Sequence, residues 1–450
     1  MESTALNTRV PSWPILVVFV SSVVATVLLW LVRPPAFLSV SPSEFATLNM
    51  DYAPQVNALL TGTKEFSARY PPIFPLLLVG LYHLSIALHL QLGVTLAIFI
   101  ASCTGIGCSL VYVLARSVWG AGFATLLSAI LWSWYIIPLW LTTYPSPETP
   151  FILVLVGSVL VFWKAVSARE FVAWRLAIAG VLIGVAMLIR PIALGIGIIF
   201  ALLFCFLRRD LRTGTRVWLA ALLLGANILT ILPWEVWVFR QYGKIVPLST
   251  GGAQSTLDGL TYAVDPHNNR NARIPADVEE LQRDILARQE VELRSMSAIS
   301  SYLADEFARR PIAVVKLFAL KAANSWYATD STRYDKYVLI LQALFLPLSL
   351  LGTWHAWRRG GQARHWAIVV WSITLWLWAM TIVVLSIARY MTPAMALMVT
   401  LIPGALLQLD AVRAKFRASL GEYRTHPLTT TDSAHHPDRG DIAPSKNTID

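Results

Sequence analysis

The chain has 450 residues, of which 56% are hydrophobic and only 14% are charged, with a mean hydropathy of +0.59. Soluble domains carry about 25% charged residues. One soluble core cannot absorb this composition, whereas repeated apolar runs of roughly 20 residues are what a bilayer demands. The formal net charge of +10 does not mark a nucleic-acid binder, because the basic residues lie in short connections and at helix ends, where membrane topology uses them.

In chain order, residues 14 to 33 form the first predicted span. No small-residue cleavage site follows it, so it reads as a retained helix, with Arg9 favouring a cytoplasmic N-terminus. The stretch Asp51 to Pro75, DYAPQVNALLTGTKEFSARYPPIFP, is the longest polar interval in the first half and the one around which the rest is organised. The apolar run from Pro72 to His89 is short for a crossing. Predicted spans follow at 95–115, 118–137, 149–163, 173–189, 192–207 and 217–233, with a polar, proline-punctuated connection at 138–150. Cys103, Cys108 and Cys205 lie in apolar helices and form no disulfide framework, zinc cluster or redox motif.

Charge decides the doubtful run. If 72–89 does not cross, Arg116, the Lys164/Arg169/Arg175 group and the Arg208 to Arg216 group all face the cytoplasm. The connections holding Asp51, Glu148 and Arg190 then share the opposite face, as the positive-inside rule requires.

Residues 235–310 read as one near-neutral extracytoplasmic insertion, turn-rich at first and helical from Asp277 to Arg310. The run 311–327 is interrupted by Lys316 and Lys321. For the next span, 337–355, to run inward, 311–327 must also not cross, or a boundary is displaced; the sequence leaves both open. Spans at 365–386 and 391–408 follow, then Arg413, Lys415, Arg417 and Arg424 anchor a cytoplasmic C-terminus, and residues 411–450 read as a polar, disordered tail.

Topology therefore gathers at one face Glu44, Asp51, Lys64, Arg69, Tyr70, Glu148, Arg190, Arg240, Arg389 and Tyr390. Carboxylates there suit a general base toward a hydroxyl or amine, and arginines or lysines suit a phosphate leaving group. The plainer readings are topology anchors for Arg116, Arg208 and Arg209, and a helix N-terminus for Glu148. Neither a phosphate-cradling glycine loop nor a dinucleotide fingerprint is present, and the sequence lacks the dense carboxylate and histidine cluster of a divalent-cation site. No cofactor and no metal are expected.

The order of Asp51, ALLTG at 58–62 and RYPPIFPLLL at 69–78 resembles the first-loop signature of bacterial relatives of the dolichyl-phosphate-mannose protein mannosyltransferases and aminoarabinose transferases. PSPETPF at 145–151, MLIRP at 187–191, LPWEVWVFRQYGKIVPLSTGG at 232–252 and ARYMTPAMAL at 388–397 resemble later family segments in family order. The resemblance covers residues 15 to 410. It implies an all-α polytopic GT-C fold of about 11–13 hydrophobic helices, with juxtamembrane helices in a first extracytoplasmic loop at 35–94. One transmembrane domain, 1–410, then contains the insertion.

The activity it implies is inverting transfer of a sugar from a polyprenyl-phosphate donor. The acceptor is a glycan, lipid or protein on the outer side of a bacterial plasma membrane. By resemblance Asp51 is the general base, with Glu44 and Glu148 as further carboxylates. Lys64, Arg69, Arg190 and Arg389 are the candidates for donor phosphate, and Tyr52, Tyr70 and Tyr390 for the pocket. The sequence departs from relatives that carry an adjacent acidic pair in the first loop, since Asp51 is followed by Tyr52. The rival readings are a lipid or polysaccharide flippase, a non-catalytic subunit of an envelope-polymer machine and an oligosaccharyltransferase-like, metal-dependent enzyme.

Overall fold

The computed structural model describes residues 12–40, 51–63, 66–168, 170–243, 245–265, 274–330 and 332–409. The chain divides into two compact units, Met1–Leu407 and Gln408–Asp450. Of the second, only residues 408 and 409 are described, so the expected tail at 411–450 lies outside the described residues.

The described residues are helical, without a strand. Among them nine helices are long and apolar enough to cross a membrane, and two shorter apolar ones, Ile73–Ala87 and Pro191–Leu207, accompany them. Backbone groups in hydrocarbon must be satisfied within their own segment, which is why so apolar a chain is built from helices.

Helix α1 (Trp13–Val32) leads into a first loop that carries α2 (Ala53–Thr61) and α3 (Ile73–Ala87). Helix α4 (Leu92–Trp119) then runs back along α1. A Cβ on Gly93, at the start of α4, would lie 2.7 Å from the Leu38 carbonyl oxygen just after α1. The chain thus leaves and re-enters the helical body at one end, and α3 does not cross. Phe37, Tyr52, Phe74, Leu78 and Leu96 give this loop an apolar core of its own.

The next pass is built from α5 (Phe123–Ser133), α6 (Ile136–Trp140) and a 3-10 turn, Leu141–Thr143. Part of the connection expected at 138–150 is therefore helix that completes a span. Helices α7 (Glu148–Ser167), α8 (Val172–Ile189), α9 (Ile196–Leu207) and α10 (Thr213–Tyr242) follow. Close approach of α8 and α10 depends on Gly180, where a Cβ would sit 2.3 Å from the Leu223 carbonyl oxygen. Helix α10 runs nine residues past the expected end at 233, through Pro233. The insertion accordingly starts after Tyr242, not at 235.

The insertion holds α11 (Gly252–Leu260), α12 (Ala276–Arg288) and α13 (Met296–Arg309). The turn-rich start is thus a helix, and the single helical stretch expected at 277–310 is two. Helix α14 (Pro311–Tyr327) packs its Ala313, Val314 and Leu317 into the insertion's core with Leu257, Val278 and Leu281. Its far end, Ala328, accepts a 2.8 Å hydrogen bond from the Ala388 amide.

The chain returns through α15 (Asp335–Arg359), α16 (Gly361–Val383) and α17 (Ala388–Met398), which continues as helix to residue 409. The Tyr242 hydroxyl accepts from the first-loop amide of Ala68 at 3.2 Å, and Asp335 stands beside Thr329 and the start of α17. Residues 243–334 therefore leave and return at the first-loop end, which resolves the parity of the segment: α14 does not cross. A large core of Tyr112, Phe162, Trp163, Phe200, Trp366 and their neighbours fills the body between the two ends.

The opposite end is basic. There the Arg208 guanidinium donates to the carbonyls of Ala165, Val166 and Ala168 that finish α7, at 2.7–3.4 Å. Arg359 lies over the Trp119 ring at 5.6 Å, and Gln362 reaches Ser167.

Candidate active site

Three helix ends meet at the first-loop end of the body. Pro147 caps α7, which puts Glu148 in its first turn, where the helix dipole favours a carboxylate. Pro191 forces the residue before it out of helical geometry, so Arg190 ends α8 in extended conformation, φ −143° and ψ 126°. Arg389 and Tyr390 open α17.

These ends converge on one another. Glu148 is only 3% exposed. Its Oε1 pairs with Arg190 Nη1 and lies 3.7 Å from Arg389 Nε. Arg389 Nη1 reaches Asp330 Oδ2 at 3.4 Å. Both guanidinium groups also lie over the Tyr390 ring, at 4.5 and 5.2 Å from its centroid. The four charged groups form a neutral, half-buried cluster in which Glu148 is already engaged by two cations.

Beside them stand the first-loop tyrosines. Tyr52 packs on Tyr70 at 4.5 Å and edge-on to Phe74 at 5.0 Å between ring centroids. Gln55 fixes the loop by donating to the carbonyls of Ser67 and Tyr70, at 2.5 and 2.8 Å. Burial pushes the Tyr52 phenol up, opposed by the positive charge of Arg190 nearby. Burial and then the negative charge of Asp51 push the Tyr70 phenol up. Asp51 itself is exposed, next to Tyr70. Both tyrosines stay neutral donors at any physiological pH.

On the other side of Arg389 a cavity of about 800 Å³ opens between α1, α6, the 328–334 connection and α15. Leu29, Ile136, Ile137, Leu141, Val338 and Ile387 supply apolar wall, whereas the charges on it are Arg33, Arg333, Arg389 and Asp330. Aromatic contacts brace the mouth: Arg33 covers the Trp140 ring at 3.9 Å, and Trp140 meets Tyr334 at 5.6 Å. Tyr144 also faces the cavity, its phenol pushed up to about 12 by burial, with the charge of Glu148 adding.

The structure thus brings Glu148, Arg190, Arg389, Tyr390, Tyr52 and Tyr70 into one cluster, with Asp51 at its outer edge. Arg69 belongs to the Asp51 edge, its guanidinium 5.5 Å from the Tyr70 ring centroid. Arg240 is exposed in the last turn of α10, away from the cluster's contacts. Glu44 and Lys64 lie outside the described residues.

Sequence reasoning missed Arg33, Trp140, Tyr144, Asp330 and Arg333. One signal was available: the polar island DSTRYD at 330–335 separates two apolar runs, as the PSPETP segment does. Among the described residues, no group of three or more His, Cys, Asp or Glu side chains is placed to hold a metal ion.

No family model matches the chain, and no curated protein matches it. Its structure is similar to the crystal structure of the apo oligosaccharyltransferase of Archaeoglobus fulgidus, with a TM-score of 0.52 and 14% sequence identity. That match covers 92% of this chain and 52% of the oligosaccharyltransferase, so the chain spans about half the length of that protein. It is also similar to the crystal structure of ArnT from Cupriavidus metallidurans bound to undecaprenyl phosphate. There the TM-score is 0.38 and the identity 14%, over 89% of this chain and 79% of that one. The chain shares the polytopic, all-α fold of that oligosaccharyltransferase, the GT-C-like architecture that its loop motifs imply.

Proposed function

We propose that this protein is an inverting glycosyltransferase that moves a sugar from a polyprenyl-phosphate donor to a hydroxyl or amine acceptor at the extracytoplasmic face of the plasma membrane. The observation that carries the reading is the cavity itself. Its walls come largely from membrane-length helices and are mostly apolar, and the charges on them are three arginines against one aspartate. An isoprenoid chain with an anionic head matches that division of surface. The position of this site opposite the basic face supports an extracytoplasmic location through the positive-inside rule. The packed core between the two faces weighs against a substrate path through the molecule, which a flippase requires.

In this reading Asp51 takes the proton from the acceptor as the acceptor's lone pair attacks the anomeric carbon on the side away from phosphate. The bond from that carbon to the phosphate oxygen breaks, and its electron pair leaves on the phosphate. Arg389 neutralises the charge that develops there, assisted by Arg33 and Arg333 at the cavity wall. Glu148, itself paired with Arg190, holds the Arg389 guanidinium from behind, and the tyrosine cluster lies between Asp51 and Arg389, where the sugar of the donor would meet the acceptor. Glu44, Lys64 and Arg69 belong to the same first loop and are the next candidates for acceptor and phosphate contacts. In this reading the arginines carry the developing phosphate charge without a metal, so transfer is expected to persist in excess EDTA.

The test is transfer of label from a panel of polyprenyl-phosphate sugars to envelope extract by purified protein, wild type against Asp51→Asn. Loss of transfer with retained donor binding supports the assignment. Transfer by Asp51→Asn at the wild-type rate removes Asp51 as the base. A wild-type protein that binds no polyprenyl phosphate overturns the reading altogether.

A further inference from the structure

Asp330 lies on the cavity wall, and its carboxylate reaches Arg389 Nη1 at 3.4 Å. It projects from the connection between α14 and α15, which is held by Asp335: Oδ1 of that residue accepts from both the amide and the hydroxyl of Thr329 at 2.7 Å. The Asp330 side chain is 57% exposed, whereas Glu148, on the other side of the same guanidinium, is 4% exposed. Arg389 therefore has one permanent counter-ion behind it and one exchangeable counter-ion in front. Its buried Nε faces Glu148 at 3.7 Å, so the contact on the cavity side is made by Nη1, the nitrogen that Asp330 holds.

Resting on the donor reading above, we propose that Asp330 occupies the place of the donor phosphate on Arg389 and is exchanged for it when the donor binds, so that Asp330 sets head-group affinity and drives release of the spent carrier. The exchange is close to neutral for an incoming sugar phosphodiester, which brings one negative charge as one carboxylate charge moves away. After transfer the carrier is a phosphate monoester of about −1.5 to −2 charge. The returning Asp330 carboxylate repels that monoester more strongly than it repels the diester. The ion pair it re-forms with Arg389 is half-exposed, hence weak and readily reversed. Arg33 and Arg333, set over Trp140 and Tyr334, remain to attract the next head group.

The experiment measures binding of farnesyl phosphate, farnesol and inorganic phosphate to the detergent-solubilised full chain. Quenching of tryptophan fluorescence is the signal, Trp140 being in the cavity wall. Asp330→Asn is expected to bind farnesyl phosphate about fivefold more tightly, with farnesol unchanged and Asp330→Glu returning to the wild-type affinity. A destabilised or misplaced loop weakens binding, so a gain of affinity separates exchange from a structural role. In turnover assays the same variant is expected to show lower KM and lower kcat together, because the spent carrier stays bound.

Unchanged or weaker farnesyl phosphate binding by Asp330→Asn overturns the proposal, as does an equal gain with farnesol. A gain with inorganic phosphate as large as that with farnesyl phosphate supports the exchange and assigns it to the phosphate alone. The donor reading is tested separately by Arg389→Gln: binding of farnesyl phosphate that is unaffected there places the donor elsewhere, whatever Asp330 does.

Discussion

Asp51 and Glu148 are both carboxylates at the same face, and solvent separates their roles. Asp51 is exposed at the outer edge of the tyrosine cluster, where the proposed reaction puts the acceptor, and its substitution leaves no cavity and no buried charge. Asp51→Asn is expected to keep thermal stability to within about 0.5 kcal/mol and to lower transfer by roughly 10²-fold or more. Glu148 is fully enclosed between Arg190 and Arg389. Glu148→Gln removes the counter-charge from two guanidinium groups that stay in place, and truncating one partner of a buried ion pair costs about 3–5 kcal/mol. A thermal melt in detergent is expected to show a large loss for Glu148→Gln and almost none for Asp51→Asn. A Glu148→Gln protein that melts like wild type yet transfers nothing reverses these roles and makes Glu148 the base.

The helices show where physical reasoning from the sequence reaches and where it stops. The runs around 14–33, 149–163 and 173–189 were legible because an apolar run bounded by polar residues has one interpretation in a bilayer. The end of α10 was not legible, because Pro233 reads as a terminator although the helix continues to Tyr242. Its continuation is fixed by tertiary contacts that no local signal carries: Trp234 donates to the Leu248 carbonyl and Glu235 accepts from the Leu248 amide, both at 2.8 Å. The break between α12 and α13 was hidden for a similar reason, since mixed charges at helical spacing run through it. Arg208 was legible only as a topology anchor, and it also closes the end of α7. Removing it leaves the carbonyls of Ala165, Val166 and Ala168 without their donor. Arg208→Met is expected to lose about 1–3 kcal/mol and to open the 167–172 connection to protease first, whereas Arg209→Met, one residue on, is expected to change neither. Equal protection of both variants removes the capping role.

At the scale of the whole molecule, the face that carries the cluster was legible because the positive-inside rule counts parity, and parity is insensitive to errors of a few residues at each boundary. It placed Asp51, Glu148 and Arg190 together on the condition that 72–89 stays on one face, and the contact of Gly93 with Leu38 meets that condition. The cavity was not legible, because its walls come from α1, α6 and α15, whose meeting depends on helix packing and not on any run of sequence. Helix α14 was the undecided element, and the two connections flanking it decide its course. Lys336, after it, is in the first turn of α15, and Glu290, before it, is in the insertion; both are exposed. Glu170 and Gln362 are exposed at the basic end. With Cys103 and Cys108 buried and Cys205 replaced by Ala, single cysteines at these four positions report sidedness to a membrane-impermeant maleimide. Glu290→Cys and Lys336→Cys are expected to react in intact cells, and Glu170→Cys and Gln362→Cys only after permeabilisation. Opposite labelling of positions 290 and 336 means that α14 crosses and breaks the architecture described for the insertion. Reversal of all four leaves the fold intact and turns the site toward the cytoplasm, where the acceptor is then to be sought.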